Sequence, residues 1–301
     1  MPVTINAQDL KVRSLDVDLN EVSWELAPTT EDIFDYTFQV TRSEAPEGPY
    51  ELLTVEMEDL YLFIDNAIRR NHIHMRLYYK LRIKHKASGD FKEFGPVARD
   101  PDPDLIAVEL RKHMNLLFRE FIGRRCWVMP VRTFGQRCVN CYNVITGKRR
   151  ISGCSSCFDT SFVRGYHNPI EAWVSIDPPP KTEQNTGIGP LQTQVTTARM
   201  GYWPPLKTRD VLIEGENIRW RITQVNQTEQ LRAAVHQEIQ IHRIPPSDIE
   251  YKIELDLGAA LKDLWLGPSR NFTNPHNLEN FKDEEIPDIF SMYPTTYPSQ
   301  R

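Results

Sequence analysis

The chain has 301 residues, 40% of them hydrophobic and 26% charged, a composition that excludes a disordered polymer and allows two or three globular domains. Its formal charge of -5 at pH 7 argues against a general nucleic-acid binder. No charged-then-apolar leader opens the sequence and no apolar run reaches bilayer length, so we expect a protein made in the cytosol, with no membrane partner.

Residues 1–98 alternate as strands do. Val22, Trp24 and Leu26 fall on one face of one stretch, and Tyr36, Phe38 and Val40 on one face of the next. Ala45-Pro46-Glu47-Gly48-Pro49 has turn chemistry, because proline presets φ and glycine accepts left-handed values. A third alternating run covers residues 75–83 and closes at Ser88-Gly89-Asp90. Short strands with regular turns predict a β-sandwich. Trp24, the Tyr36 strand with its Gly48-Pro49-Tyr50 turn, and the Tyr78-Tyr79 strand running into Gly89 together resemble a fibronectin type III domain over residues 10–98. His72 and His74 share a strand face, but with no third ligand a solvated pair is the default.

Residues 99–125 read as a linker and a helix. Asp102 suits the N-cap, Pro103 the first helical position, and Asp104 the positive end of the dipole. Ile106, Leu110, Met114, Leu117 and Phe121 recur at helical spacing and predict an apolar stripe that packs on the cysteine segment or on a neighbouring subunit. Gly123 ends the pattern, with Arg124 and Arg125 near the negative pole.

Residues 126–168 carry Cys138-Val-Asn-Cys141, a twelve-residue gap, and Cys154-Ser-Ser-Cys157. Two C-x-x-C turns at this spacing point to a four-cysteine zinc-ribbon-like module, since each turn aims two sulfurs and its own amides at one ion. With all four ligands cysteine, no coordination position is left for a reacting water, and the Zn2+ is structural. Two disulfides, in any of three pairings, and reduced core thiols are the competing readings. Residues 158–166 are expected to leave the site as a short strand. Cys126, beside Trp127, reads as a small buried residue. From Arg124 to Arg164 eight basic side chains face a single acid, Asp159, and Lys148, Arg149 and Arg150 sit together on the hairpin between the cysteine pairs. Such a basic segment in an acidic chain implies an anionic neighbour, either nucleic acid or an acidic protein face.

Residues 169–256 show strand patterns at 170–176, 194–200, 211–213, 218–222 and 235–244, separated by a proline-rich extended loop from Asp177 to Pro190 and a Gly215-Glu216-Asn217 turn. This predicts a small β-barrel. Val235, Ile239 and Ile241 share one strand face, and His236 and His242 are expected to be exposed on the other side. Residues 257–301 lose all periodicity while keeping Trp265, Phe272, Phe281 and Phe290, which suits an extended C-terminal arm lying along another subunit. The fold class is therefore mainly β and multidomain: sandwich, linking α-helix, zinc-ribbon-like module, small barrel and arm.

None of the common catalytic motifs is present, and Gly187-Ile188-Gly189 lacks the next glycine of a nucleotide-binding turn, so a non-enzymatic role is expected. The run Asp210–Gly215, the run Arg219–Val225, and the segments Gln237–Ile244 and Ser247–Tyr251 resemble the small barrels of tailed-bacteriophage neck and head–tail connector proteins. The cysteine segment, with its trailing Gly165-Tyr166-His167-Asn168-Pro169, is similar to zinc-bearing segments of virion structural proteins. What the resemblance implies is a virion component forming a homo-oligomeric ring that joins other neck or tail proteins. The basic hairpin would then face packaged DNA in the channel or an acidic partner ring. A tail or baseplate protein with a host-facing fibronectin-like domain is the nearest variant. A zinc-ribbon nucleic-acid-binding protein is the first rival class. A DnaJ-type cysteine module is the second, although Asp159 and Ser161 stand where that family has glycines.

Overall fold

Alternating sequence becomes paired sheet throughout the computed structural model, which describes residues 3–16, 18–29, 31–68, 75–143, 145–178, 184–186, 189–191 and 195–255. Seven strands come first: β1 (Ala7–Asp16), β2 (Leu19–Leu26), β3 (Tyr36–Ser43), β4 (Glu51–Leu52), β5 (Leu62–Asp65), β6 (Tyr78–His85) and β7 (Phe91–Ala98). They form two antiparallel sheets, ordered β1-β2-β5 and β4-β3-β6-β7. Val22, Trp24 and Leu26 from one sheet meet Phe38, Val40, Tyr79, Leu81 and Ile83 from the other in a single buried cluster. The period of two dictates this, because alternate side chains leave a strand on the same face. Each such side chain contributes about 1.5–3 kcal/mol on burial. Asp65 bridges the sheets inside the core, accepting from Arg42 and from the Tyr79 hydroxyl, each at 2.8 Å. His72 and His74 lie outside the described residues.

One helix follows, α1 (Leu105–Leu116), widening into a π-turn over Leu117–Ile122. Its N-cap is Asp104, whose carboxylate accepts from the Ile106 amide at 2.8 Å, and not the expected Asp102. Asp102 precedes a proline, which disfavours helical backbone, and its carboxylate is held by Arg99 at 3.0 Å and Ser14 at 3.1 Å. The inward face is also not the expected stripe. Ala107, Val108, Arg111 and Phe118 are buried, whereas Ile106 is 60% exposed and Phe121 76%. Arg111 explains the rotation. Its guanidinium donates to the Leu15 and Ala234 carbonyls at 2.9 and 2.7 Å and lies over the Tyr202 ring, and Ala107 one turn earlier lets the helix come close. Gly123 ends the helix by close approach: its amide donates to the Phe118 carbonyl, and a Cβ there would sit 2.1 Å from that oxygen.

Ten further strands follow among the described residues. They are β8 (Arg124–Met129), β9 (Tyr142–Asn143), β10 (Lys148–Arg149), β11 (Ile170–Ile176), β12 (Gln184–Thr186), β13 (Gly189–Leu191), β14 (Val195–Gly201), β15 (Val211–Ile213), β16 (Arg219–Gln230) and β17 (Ala233–Arg243). Six of them close a barrel in the order β11-β14-β17-β16-β15-β8. Cys126, Val128, Ala172, Val174, Ala198, Leu212, Ile222, Ile239 and Ile241 fill it. The expected boundary at residue 126 therefore falls inside a barrel strand, because β8 pairs with β11 from Val128↔Ile170 to Arg124↔Val174. The cysteine segment is an excursion between two neighbouring staves. Short β12 and β13 pair within the stretch expected to be an extended loop. His236 and His242 are half-buried rather than exposed, with His236 bonded to Thr228 at 3.1 Å. The C-terminal arm, residues 257–301, lies outside the described residues.

Sandwich and barrel meet over a buried seam. Leu15, Leu19 and Ile64 pack with Ile170, Tyr202 and Trp203, and the Trp203 indole donates to Glu21 at 2.7 Å. Beside it, Arg132 makes a two-oxygen contact with Asp59 at 2.7 and 2.5 Å and donates to the Tyr166 carbonyl at 3.1 Å. The His167 ring lies in the same seam, 5.4 Å from the Tyr61 ring and 5.2 Å from that of Phe134. Burial, and then the charges of Arg132 and Lys207, hold its pKa well below 6.5. A histidine kept neutral by the fold binds its proton more readily in the unfolded chain, so stability present above pH 6.5 is lost as the pH falls. Nearby Asp210 works the other way: burial raises its pKa to about 6, so its ionised form costs stability above that pH. We expect His167→Gln to lose less melting temperature than the parent between pH 7.5 and 5.5. The difference has a ceiling of about 1.4 kcal/mol per pH unit, and identical acid-side melting curves would refute the assignment.

Candidate metal centre

Two tight turns face each other in the excursion between β8 and β11. In the first, the Tyr142 amide closes on the Cys138 carbonyl at 3.0 Å. In the second, the Phe158 amide closes on Cys154 at 2.9 Å and the Thr160 amide on Cys157 at 2.9 Å. A short antiparallel contact holds the two turns together, with Cys138 N donating to Ser161 O and Val163 N to Gln136 O, both at 3.0 Å. The expected strand over residues 158–166 is instead a series of turns with bridges at Phe162 and Tyr166. Positive φ at Phe158, Asp159, Ser161 and Arg164 breaks any strand there. Gly165 is required by crowding as well as by its φ of +68°, because a Cβ would sit 2.6 Å from the Cys157 carbonyl.

The four sulfurs converge. Cys138 and Cys154 Sγ are 3.9 Å apart, Cys141 and Cys157 Sγ 3.1 Å, and all four lie within 4.8 Å of one another. These separations exceed the ~2.05 Å of a disulfide. They bracket the roughly 3.8 Å between sulfurs around a tetrahedral ion with ~2.3 Å metal–sulfur bonds. Cys138, Cys141 and Cys157 are buried and Cys154 is half-buried. The donor set fits one metal ion. Among the described residues it is the sole group of three or more such ligands drawn together. Burial pushes the Cys141 and Cys157 thiols up. At Cys154 burial is outweighed by the Ser156 amide and the neighbouring thiols and amide, leaving its pKa below the usual thiol value. Ligation must displace protons from the buried members of the set. Cys126 stands apart inside the barrel, its pKa raised by burial to about 12, so it is an inert packing residue.

Asp159 organises the second turn, a role that residue spacing does not reveal. Its carboxylate accepts from the Gly153 amide at 2.9 Å and the Cys154 amide at 3.1 Å, and it pairs with Arg149 at 3.2 Å. Its φ of 62° is one that aspartate and asparagine tolerate better than most residues. Asp159→Ala should cost about 1–2 kcal/mol in melting experiments and speed metal loss to a chelator, through lost acceptors and backbone strain. Asp159→Asn should recover most of both. Equal effects of the two substitutions would refute this role.

The basic cluster is mostly neutralised from within. Arg124 pairs with Glu214, Arg125 with Glu171, and Arg132 and Arg164 with Asp59. Arg137 lies over the rings of Phe162 and Tyr142, at 4.0 and 4.7 Å. Of the three hairpin cations, Arg149 turns inward onto Asp159, donating to its carbonyl at 3.0 Å as well. Lys148 and Arg150 are exposed and make no side-chain ion pair or hydrogen bond among the described residues. Apart from Asp159, the acids that neutralise this segment lie outside it, at Asp59, Glu171 and Glu214, so a local charge count overstates its field. No family model matches the chain, and no curated protein matches it either.

Proposed function

We propose that this chain is a non-enzymatic structural subunit of a larger assembly, its cysteine module stapled by one Zn2+. The observation that carries the assembly reading is the outward stripe of α1, where Ile106, Leu110, Leu117 and Phe121 are all exposed. An unpartnered row of large apolar side chains marks an interaction surface. Four thiolates in a closed set favour a soft or borderline ion without an open position, and zinc in a ribbon-like module suits them best. Two antiparallel sheets, β1-β2-β5 and β4-β3-β6-β7, packed over one core support reading the first unit as a fibronectin III-like sandwich.

The resemblance of the barrel segments to phage neck proteins makes a homo-oligomeric ring of the head–tail connector, with neck and tail partners in a virion, the most specific form of this reading. In the seam His167 has no hydrogen-bonded nucleophile among the described residues, which favours a structural role over catalysis. Among the described residues no helix is long and apolar enough to cross a membrane. Light scattering of the full chain with elemental analysis tests the proposal. An oligomer carrying one zinc per chain is expected, and Phe121→Asp with Ile106→Asp should reduce its mass. A metal-free monomer at all concentrations would overturn it. The nucleic-acid reading retains Lys148 and Arg150 as its contacts, and tight, salt-dependent binding of duplex DNA by the free chain would favour it.

A further inference from the structure

The stalk beneath the cysteine turns is a second place where the sandwich is held. Residues 130–138 and 161–167 run side by side from β8 and β11 to the four sulfurs. Bridges Val131↔Tyr166 and Arg137↔Phe162 join them, with the Arg132 amide donating to Gly165 and the His167 amide to Pro130, both at 2.9 Å. The outer side of this ladder meets the sandwich. Gln136 makes a parallel bridge to Thr29, and the Phe134 ring meets the Tyr61 ring edge-on at 4.9 Å. The Arg164 guanidinium lies 4.0 Å over the Phe34 ring, and Asp59 takes both Arg132 and Arg164.

These sandwich residues share one end of the domain. Thr29 and Phe34 lie between β2 and β3, Asp59 and Tyr61 just before β5, and β5 begins opposite the later half of β2, at Leu62↔Ser23. The apolar seam lies toward the other end, where Leu15 and Leu19 flank the β1–β2 turn. What sustains the two attachments differs. None of the seam's side chains comes from residues 130–138 or 161–167. The stalk contacts instead hang on the cysteine turns. The Arg164 amide donates to the Ser156 carbonyl, between Cys154 and Cys157, at 3.2 Å, and Arg164 keeps a φ of 63° that non-glycine residues rarely adopt. The turns themselves have the four thiols as their interior, so their shape depends on the ion.

We infer that the four-cysteine centre is a metal-dependent latch. With the ion bound it clamps the loop end of the sandwich to the barrel, and loss of the ion frees that end while the seam keeps the other. The inference rests on the metal reading of the site and adds that occupancy governs how the sandwich is held. Such coupling is reciprocal, so sandwich side chains remote from the sulfurs must in turn tighten the metal.

Hydrogen exchange of the zinc-loaded full chain, before and after metal removal with 1,10-phenanthroline, tests the latch. Exchange in residues 31–35 and 56–61 should accelerate at least about tenfold without metal, while β3, β6, β14 and β17 keep their protection. Arg164→Ala should accelerate the same segments with one zinc per chain still bound. In competition with the chelator, Phe34→Ala should hold zinc about fivefold more weakly than the parent. Leu52→Ala, on β4 toward the far end of β3, should hold it as the parent does. Equal exchange with and without metal, loss of protection throughout the sandwich, or parental zinc affinity in Phe34→Ala overturns the latch. If any of these comes with one zinc per chain in the parent, the metal reading stands. A chain that takes up no zinc removes both.

Discussion

Cys138→Ser or Cys157→Ser should unfold the centre of the chain and abolish stoichiometric metal. The expectation follows from how little else holds the module together. Its interior is the four-cysteine cluster itself, its strands β9 and β10 are two residues each, and its second turn runs through four non-glycine residues at positive φ. In a module of this kind the binding free energy of the ion is folding free energy, on the order of 10 kcal/mol or more. Serine retains the shape but offers a poor ligand, so the remaining three sulfurs lose the ion and their shared packing. Thermal melting and elemental analysis should change together, and a chelator should reproduce the mutant melt in the parent. Cys126→Ser is the matched control: it should destabilise the barrel by about 1–3 kcal/mol and leave metal content unchanged. A Cys157→Ser protein with the parental melting temperature would refute the staple.

Asp59→Ala should be among the most damaging substitutions in the sandwich, although Asp59 belongs to no strand. It strands the Arg132 guanidinium, 2% exposed, with the Tyr166 carbonyl as its remaining hydrogen-bond acceptor among the described residues and the Tyr61 ring beside it. An uncompensated buried charge of this kind costs about 3–5 kcal/mol. Arg132→Ala should cost somewhat less, because Asp59 keeps Arg164 at 3.3 Å, a side chain that still reaches solvent. The double variant Asp59→Leu/Arg132→Met should recover much of the loss, since a well-packed apolar pair avoids the desolvation penalty of both ions. Urea unfolding of Asp59→Leu, Arg132→Met and their combination closes a cycle that gives the coupling energy. Additive losses in the double variant would refute the pairing as the cause. The effect should also spread, because Asp59 lies in the sandwich while Arg132 and Arg164 bracket the cysteine turns.

Local pattern was enough wherever one face decides a residue's fate. Trp24, Phe38 and Ile239 are buried because period-two strands leave them no other side, and the C-x-x-C turns brought their sulfurs together because two residues suffice to reverse the chain. It failed where a distant partner decides. The α1 stripe has regular helical spacing, but its direction was not legible: Arg111 finds its acceptors at Leu15 and Ala234, far away in sequence, and turns the apolar side outward, which leaves a neighbouring subunit, of the two partners expected for it, as the candidate. Strand β8 hid behind the adjacent cysteines because its partners β11 and β15 come long after it. Asp59 and Asp159 carry no sequence signal at all: one serves arginines beyond a domain junction, the other caps amides a few residues before it.

The placement of the cysteine excursion governs how the molecule bears force. Its two ends run into β8 and β11, which are hydrogen-bonded to each other and flanked by β15 and β14. A tug on the excursion draws that pair along its own length, so the flanking ladders resist by sliding, with many bonds strained at once instead of parting singly. Traction applied there is borne by the whole barrel wall, whereas traction on an end strand of an open sheet would peel it away.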